Sequence, residues 1–115
     1  MHEVSLAAGI LKIVQDAASR EHFTRVTHLR LEAGALAGVE VRALRFALEV
    51  MAHETCLQQA TIDIDTPPGR AWCPQCNATF EITMRGDPCS GCGSYQLRVT
   101  GGTELRVIDM LVEDD

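Results

Sequence analysis

Apolar residues change their spacing several times along this chain, and each change marks an element. From about Val4 to Glu21, Leu6, Ile10, Ile13, Val14 and Ala17 recur at three- and four-residue intervals, with Lys12, Gln15, Asp16 and Arg20 on the other side. That period predicts an amphipathic helix with one buried stripe. From Thr24 to Ala33 the pattern turns to alternation, with Leu29, Leu31 and Ala33 on one face and His28, Arg30 and Glu32 on the other. This predicts a strand, stopped by Gly34. A connection from Gly34 to Gly38 leads to a second helix over about Val39 to Thr55, with Val41, Leu44, Leu48, Met51 and Ala52 on its apolar face.

Thr61 to Asp65 reads as a short strand, with Ile62 and Ile64 alternating, and Pro67-Pro68-Gly69 breaks it. After Gly101-Gly102, Thr103 to Val112 has the β-branched content of a last strand. The order is helix, strand, helix, strand, inserted segment, strand. A strand–helix–strand unit favours parallel pairing of the first two strands. A small three-stranded sheet covered by two helices follows, and no internal repeat or low-complexity tract complicates it.

Composition narrows the function classes. With 115 residues, 46% apolar and only 4% aromatic, the chain can build one small core of Val, Ile, Leu and Ala. A formal net charge of −6 argues against a nucleic-acid partner, since phosphate binding is driven by clustered Lys and Arg. No apolar run reaches the length of a membrane span. The start lacks the basic residues and unbroken apolar run of a signal peptide. Five cysteines, an odd number, fit a reducing cytoplasm better than a disulfide framework. Glu113, Asp114 and Asp115 read as a solvated acidic tail.

Four of the cysteines carry the strongest chemical signal. Cys73-x-x-Cys76 and Cys89-x-x-Cys92 have twelve residues between them. Each pair can present two thiolates across one tight turn, and two facing turns make a closed tetrahedral metal site. Asn77 and Gly93 follow the pairs, where the chain often needs positive φ. Zinc is the expected ion. A rubredoxin-type iron site uses the same ligands, and disulfides fit paired knuckles less well. A closed four-sulfur site leaves no position for substrate, so its role is structural. The segment from about Pro67 to Thr100 is too short for its own core, because chains below about 40 residues usually need a metal or disulfides. Cys56 reads as a buried or half-buried thiol near a helix end. No Ser/His/Asp or His-Glu-x-x-His pattern appears, so an enzyme is not expected.

The beginning, Met1-His2-Glu3, is a second metal-binding candidate. The α-amine of Met1, the amide and imidazole nitrogens of His2, and the amide of Glu3 can ring one ion. Such nitrogen sets suit square-planar Ni(II) or Cu(II). His22, His28 and His53 read as ordinary surface or half-buried residues. Glu40 reads as an exposed charge in the first turn of the second helix, favoured there by the helix dipole.

Together, Met1-His2-Glu3-Val4-Ser5-Leu6, Leu31-Glu32-Ala33-Gly34-Ala35-Leu36 and the paired cysteines in this order resemble the HypA/HybF family of nickel metallochaperones for [NiFe]-hydrogenase maturation. The resemblance covers the whole chain. It implies an α+β fold, a small mixed three-stranded sheet with two helices plus an inserted zinc-ribbon-like module. The nickel-binding domain would span 1–67 and 101–115, and the zinc-binding module 68–100. His2 would be the key ligand for Ni(II), the transferred ion, with Met1 and Glu3 as backbone ligands. Cys73, Cys76, Cys89 and Cys92 would hold a structural Zn(II). The implied partners are the nickel-handling GTPase HypB and the hydrogenase large-subunit precursor, and a homodimer stays open. Some members carry a His beside the zinc cysteines and also serve urease. Asn77 and Gly93 occupy those positions here, so urease maturation is not assigned. The alternative is a zinc-ribbon adaptor or docking protein without metal delivery.

Overall fold

Residues 2–114 are described by the computed structural model. They form α1 (His2–Glu21), β1 (Arg25–Ala33), α2 (Val41–Met51), β2 (Thr61–Asp65), β3 (Gly69–Cys73), β4 (Ala78–Ile82), β5 (Arg98–Gly101) and β6 (Leu105–Glu113). The strands make two three-stranded sheets, ordered β2-β1-β6 and β4-β3-β5. The chain divides into two compact units. One takes the described residues up to Leu31, Glu40–Ile64 and those from Arg106 on; the other takes Glu32–Val39 and Asp65–Leu105.

In the first unit the two helices pack on the first sheet through a core of small and branched side chains. Ala7, Ile10, Val14 and Ala17 of α1 are buried, as are Val26, Leu29 and Leu31 of β1 and Leu44, Ala47 and Leu48 of α2. Alternation along β1 is as expected, with Leu29, Leu31 and Ala33 buried. The α1 stripe is rotated from the expected one: Ile13 is 53% exposed, and Ala7 takes the buried place one turn before Ile10. Close helix–helix approach favours the smaller residue there. At the end of α1, His22 adopts a left-handed conformation (φ 62°), a helix-terminating role usually given to Gly.

α2 stops at Met51, short of Thr55. Thr55 Oγ1 donates to the Ala52 carbonyl at 2.7 Å and accepts from the Leu57 N–H at 3.1 Å, so a local turn replaces the helical ladder. Arg45 donates to the Ile62 carbonyl, tying α2 to β2. Thr24 N–H donates to the Glu113 carbonyl at 3.0 Å, which sets the pairing at the start of β1.

The second unit holds a sheet that periodicity alone did not reveal. β3 is central, antiparallel to β4 with Ala71 opposite Phe80 and Cys73 opposite Ala78. On its other edge β3 pairs antiparallel with β5, with Ala71 opposite Val99 and a bulge between Arg70 and Ala71. Its core is small: Leu36, Ala71 and Ile82 are buried, and Leu97 and Val99 pack against them. Leu36 comes from the connection after β1, held in place where its N–H donates to the Gly102 carbonyl at 2.7 Å and Ala35 N–H donates to Pro67 at 2.9 Å.

Candidate metal centre

The β3–β4 hairpin builds the first cysteine turn. Cys73 ends β3, and Pro74 to Asn77 reverse the chain before Ala78 starts β4. Asn77 N–H donates to the Cys73 carbonyl at 2.8 Å, and Asn77 has φ 56°. Cys76 N–H points at Cys73 Sγ, 3.4 Å away. The second turn repeats the design. Gly93 N–H donates to the Cys89 carbonyl at 2.8 Å, with Gly93 at φ 78°, and Gly91 N–H donates to Cys89 Sγ at 3.3 Å. A Cβ on Gly91 would sit 3.0 Å from the Phe80 ring and 3.3 Å from Cys76 Sγ, a tight fit that would press on both side chains.

The two turns bring their sulfurs together. Cys73 and Cys92 Sγ are 3.7 Å apart, Cys76 and Cys89 Sγ are 3.9 Å apart, and all four lie within 4.8 Å of one another. A tetrahedral zinc with bonds of about 2.3 Å needs sulfur–sulfur edges of about 3.8 Å. The donor set and spacing therefore fit a structural zinc ion. Such a cluster of three or more His, Cys, Asp or Glu occurs once among the described residues.

Proton affinities in the cluster are split. Cys76 is pushed up to about 12, chiefly by hydrogen bonding with Cys92 and by burial. At Cys89 burial opposes ionisation, but N–H groups of Cys92 and Gly91 draw it down to about 7. At Cys92 the Ser94 N–H pulls down while burial and the Cys73 and Cys89 thiols push up, for a net rise. Four crowded thiolates repel one another, and a divalent cation removes that conflict. Cys56 is half-buried, outside this cluster, and burial raises its thiol.

The N-terminal candidates are placed in part. His2 is the first helical residue of α1 and is exposed, whereas Met1 lies outside the described residues. Glu3 has a role not anticipated for its side chain. Its Oε2 accepts the Glu40 N–H at 3.0 Å, and that bond leads the causes holding the Glu3 carboxyl down at about 2. Glu40 is the N-cap of α2, one residue before the helix begins at Val41, rather than a member of its first turn as expected. Next to Glu3, Val4, Phe46 and Val50 are exposed and, with Ala43, Ala47 and Met51, line a shallow apolar groove of about 350 Å³. His22, His28 and His53 are exposed and, among the described residues, belong to no metal-ligand cluster. No described helix is long and apolar enough to cross a membrane.

Two helices on a three-stranded sheet, with a four-cysteine ribbon unit in the same chain, define a small α+β protein with a structural metal centre. The chain belongs to the HypA family: the family model described as "Hydrogenase/urease nickel incorporation, metallochaperone, hypA" matches residues 1–112. Among its relatives, the hydrogenase maturation factor HypA of Cupriavidus necator is 67% identical over 114 residues, covering 99% of this chain and 96% of its own. The factor of the same name from Polaromonas naphthalenivorans is 62% identical over 115 residues, covering 100% of both chains. The solution structure of the Ni metallochaperone HypA from Helicobacter pylori shares the fold, with TM-score 0.69 at 19% identity and 100% coverage of both chains.

Proposed function

We propose that this chain carries Ni(II) at its N-terminus and delivers it during maturation of [NiFe]-hydrogenase. The observation that carries this reading is an exposed His2 at the first position of α1, in a chain whose family is one of nickel-incorporating metallochaperones. The imidazole of His2 is the principal ligand, completed by backbone nitrogens of Met1 and Glu3. Backbone N–H groups in the first turn of a helix have no intrahelical acceptor. Deprotonating them for a metal therefore breaks no bond of the α1 ladder. Because protons must leave, nickel affinity rises with pH.

The chemistry is ligand exchange on a cargo ion, with no bond made or broken in an organic substrate. A terminal site open to solvent lets a recipient compete for nickel one ligand at a time. Recipients are the hydrogenase large-subunit precursor and, as a nickel-handling partner, the GTPase HypB, in the cytoplasm. Residues 1–67 and 101–115 form the nickel domain in functional terms, and 68–100 form the zinc module. Cys73, Cys76, Cys89 and Cys92 hold zinc, which supplies the cross-links that the small Leu36–Ala71–Ile82 core lacks.

The test is genetic complementation at limiting nickel. In a strain lacking its own factor, the parent chain restores hydrogenase activity and His2→Ala does not, while excess nickel rescues the variant. Full activity with His2→Ala at limiting nickel refutes delivery from the N-terminus.

A further inference from the structure

The N-cap of α2 has an unusual source of support. Glu40 makes no side-chain cap. In a capping box, an acidic or amide side chain at the third helical position would accept the N–H of the cap residue. That position is Ala43, which has no acceptor. The Glu40 N–H goes instead to Glu3 Oε2 at 3.0 Å, from a residue 37 positions earlier in the first turn of α1. The carboxylate next in sequence to His2 thus acts as the missing cap acceptor of another helix.

We infer that Glu3 is a positioning residue, whose carboxylate straps the first turn of α1 to the start of α2 and so holds His2 and its backbone nitrogens in place for nickel. The inference rests on the nickel reading above. It gives the Glu3 side chain a different task from its backbone: the carboxylate is engaged with a protein N–H and orders the site, while the ion takes nitrogen. Ordering a short terminal segment before binding removes an entropic cost that an unstrapped terminus would meet at each loading.

Four variants separate a strap from a carboxylate ligand. Glu3→Gln keeps an oxygen acceptor and Glu3→Ala removes it. Glu40→Pro removes the N–H donor without touching Glu3, at a residue whose φ of −83° lies close to that of proline. Glu40→Ala keeps the donor and removes only the side chain. Ni(II) is titrated into each zinc-loaded protein with a native N-terminus, with zinc content and helicity as folding controls. Glu3→Ala and Glu40→Pro are expected to bind nickel about tenfold more weakly, with Glu3→Gln and Glu40→Ala within about threefold of the parent.

Amide exchange at Glu40, read without nickel, reports the strap by itself: slow in the parent and Glu3→Gln, fast in Glu3→Ala. Parental affinity in Glu40→Pro, with Glu3→Gln as weak as Glu3→Ala, overturns the inference in favour of a carboxylate acting on the ion. Parental affinity in Glu3→Ala, or fast Glu40 exchange in the parent, also overturns it. No nickel on the parent, with Glu40 protected, refutes the nickel reading and removes the function assigned to a strap that exists.

Discussion

Cys73 Sγ lies 3.7 Å from Cys92 Sγ, a residue nineteen positions further along the chain. That approach closes the cysteine unit across its two turns, and a bound zinc ion would hold it closed. Replacing either residue with Ser is expected to lower bound zinc well below one per chain. Amides of β3, β4 and β5 should then exchange rapidly. Helicity should largely survive, because α1 and α2 belong to the other unit. Zinc analysis and far-UV circular dichroism check both halves; undiminished zinc, or wholesale loss of helix, contradicts the assignment.

Zinc loading should be a proton exchange. With Cys76 pushed up to about 12 and Cys92 raised, both thiols are protonated at neutral pH in the metal-free protein. Zinc binding therefore releases at least about two protons per ion, and affinity falls as pH falls. Calorimetry in two buffers of different ionisation enthalpy measures the number. A pH-independent affinity between pH 6 and 8 contradicts it.

Leu44 is fully buried, while Ile13 is 53% exposed. Leu44→Ala should destabilise the protein by about 2–5 kcal/mol through lost burial and a cavity. Ile13→Ala should change stability by no more than about 0.5 kcal/mol. Denaturant unfolding of the zinc-loaded proteins tests the pair, and equal losses would restore the α1 face expected from periodicity.

At Gly34, a Cβ would fall 2.2 Å from the Gly102 carbonyl oxygen, a backbone atom that cannot rotate away. Gly34→Ala should displace the segment that seats Leu36 and cost about 1–3 kcal/mol. An unchanged unfolding midpoint is the contrary result.

These residues also show what a sequence discloses. The cysteine turns are short-range devices, so their spacing and the Asn77 and Gly93 that complete them were readable, and both take the positive φ expected. β1 was readable because alternation reports a half-buried strand directly. The 3.6-residue period of α1 gave a stripe but not its centre, which depends on how closely α2 approaches; Ala7 and Ile13 exchanged places on that account. α2 ran short because Thr55 caps a turn with its own hydroxyl. The strands flanking the cysteine turns were hidden by the metal motif, although Thr79, Phe80 and Ile82 carried strand composition. The Glu3–Glu40 bond joins residues 37 apart, and no local pattern encodes it. Its only trace is negative, an Ala where a capping box would place an acceptor.

The central claim is that one nickel ion binds at His2, apart from the zinc cysteines. It is tested most directly by titrating Ni(II) into zinc-loaded, tag-free protein with its native N-terminus, alongside His2→Ala. One nickel per chain in the parent, lost in the variant while zinc stays bound, is the predicted result. Equal binding in both, or nickel that enters only as zinc leaves, contradicts the account.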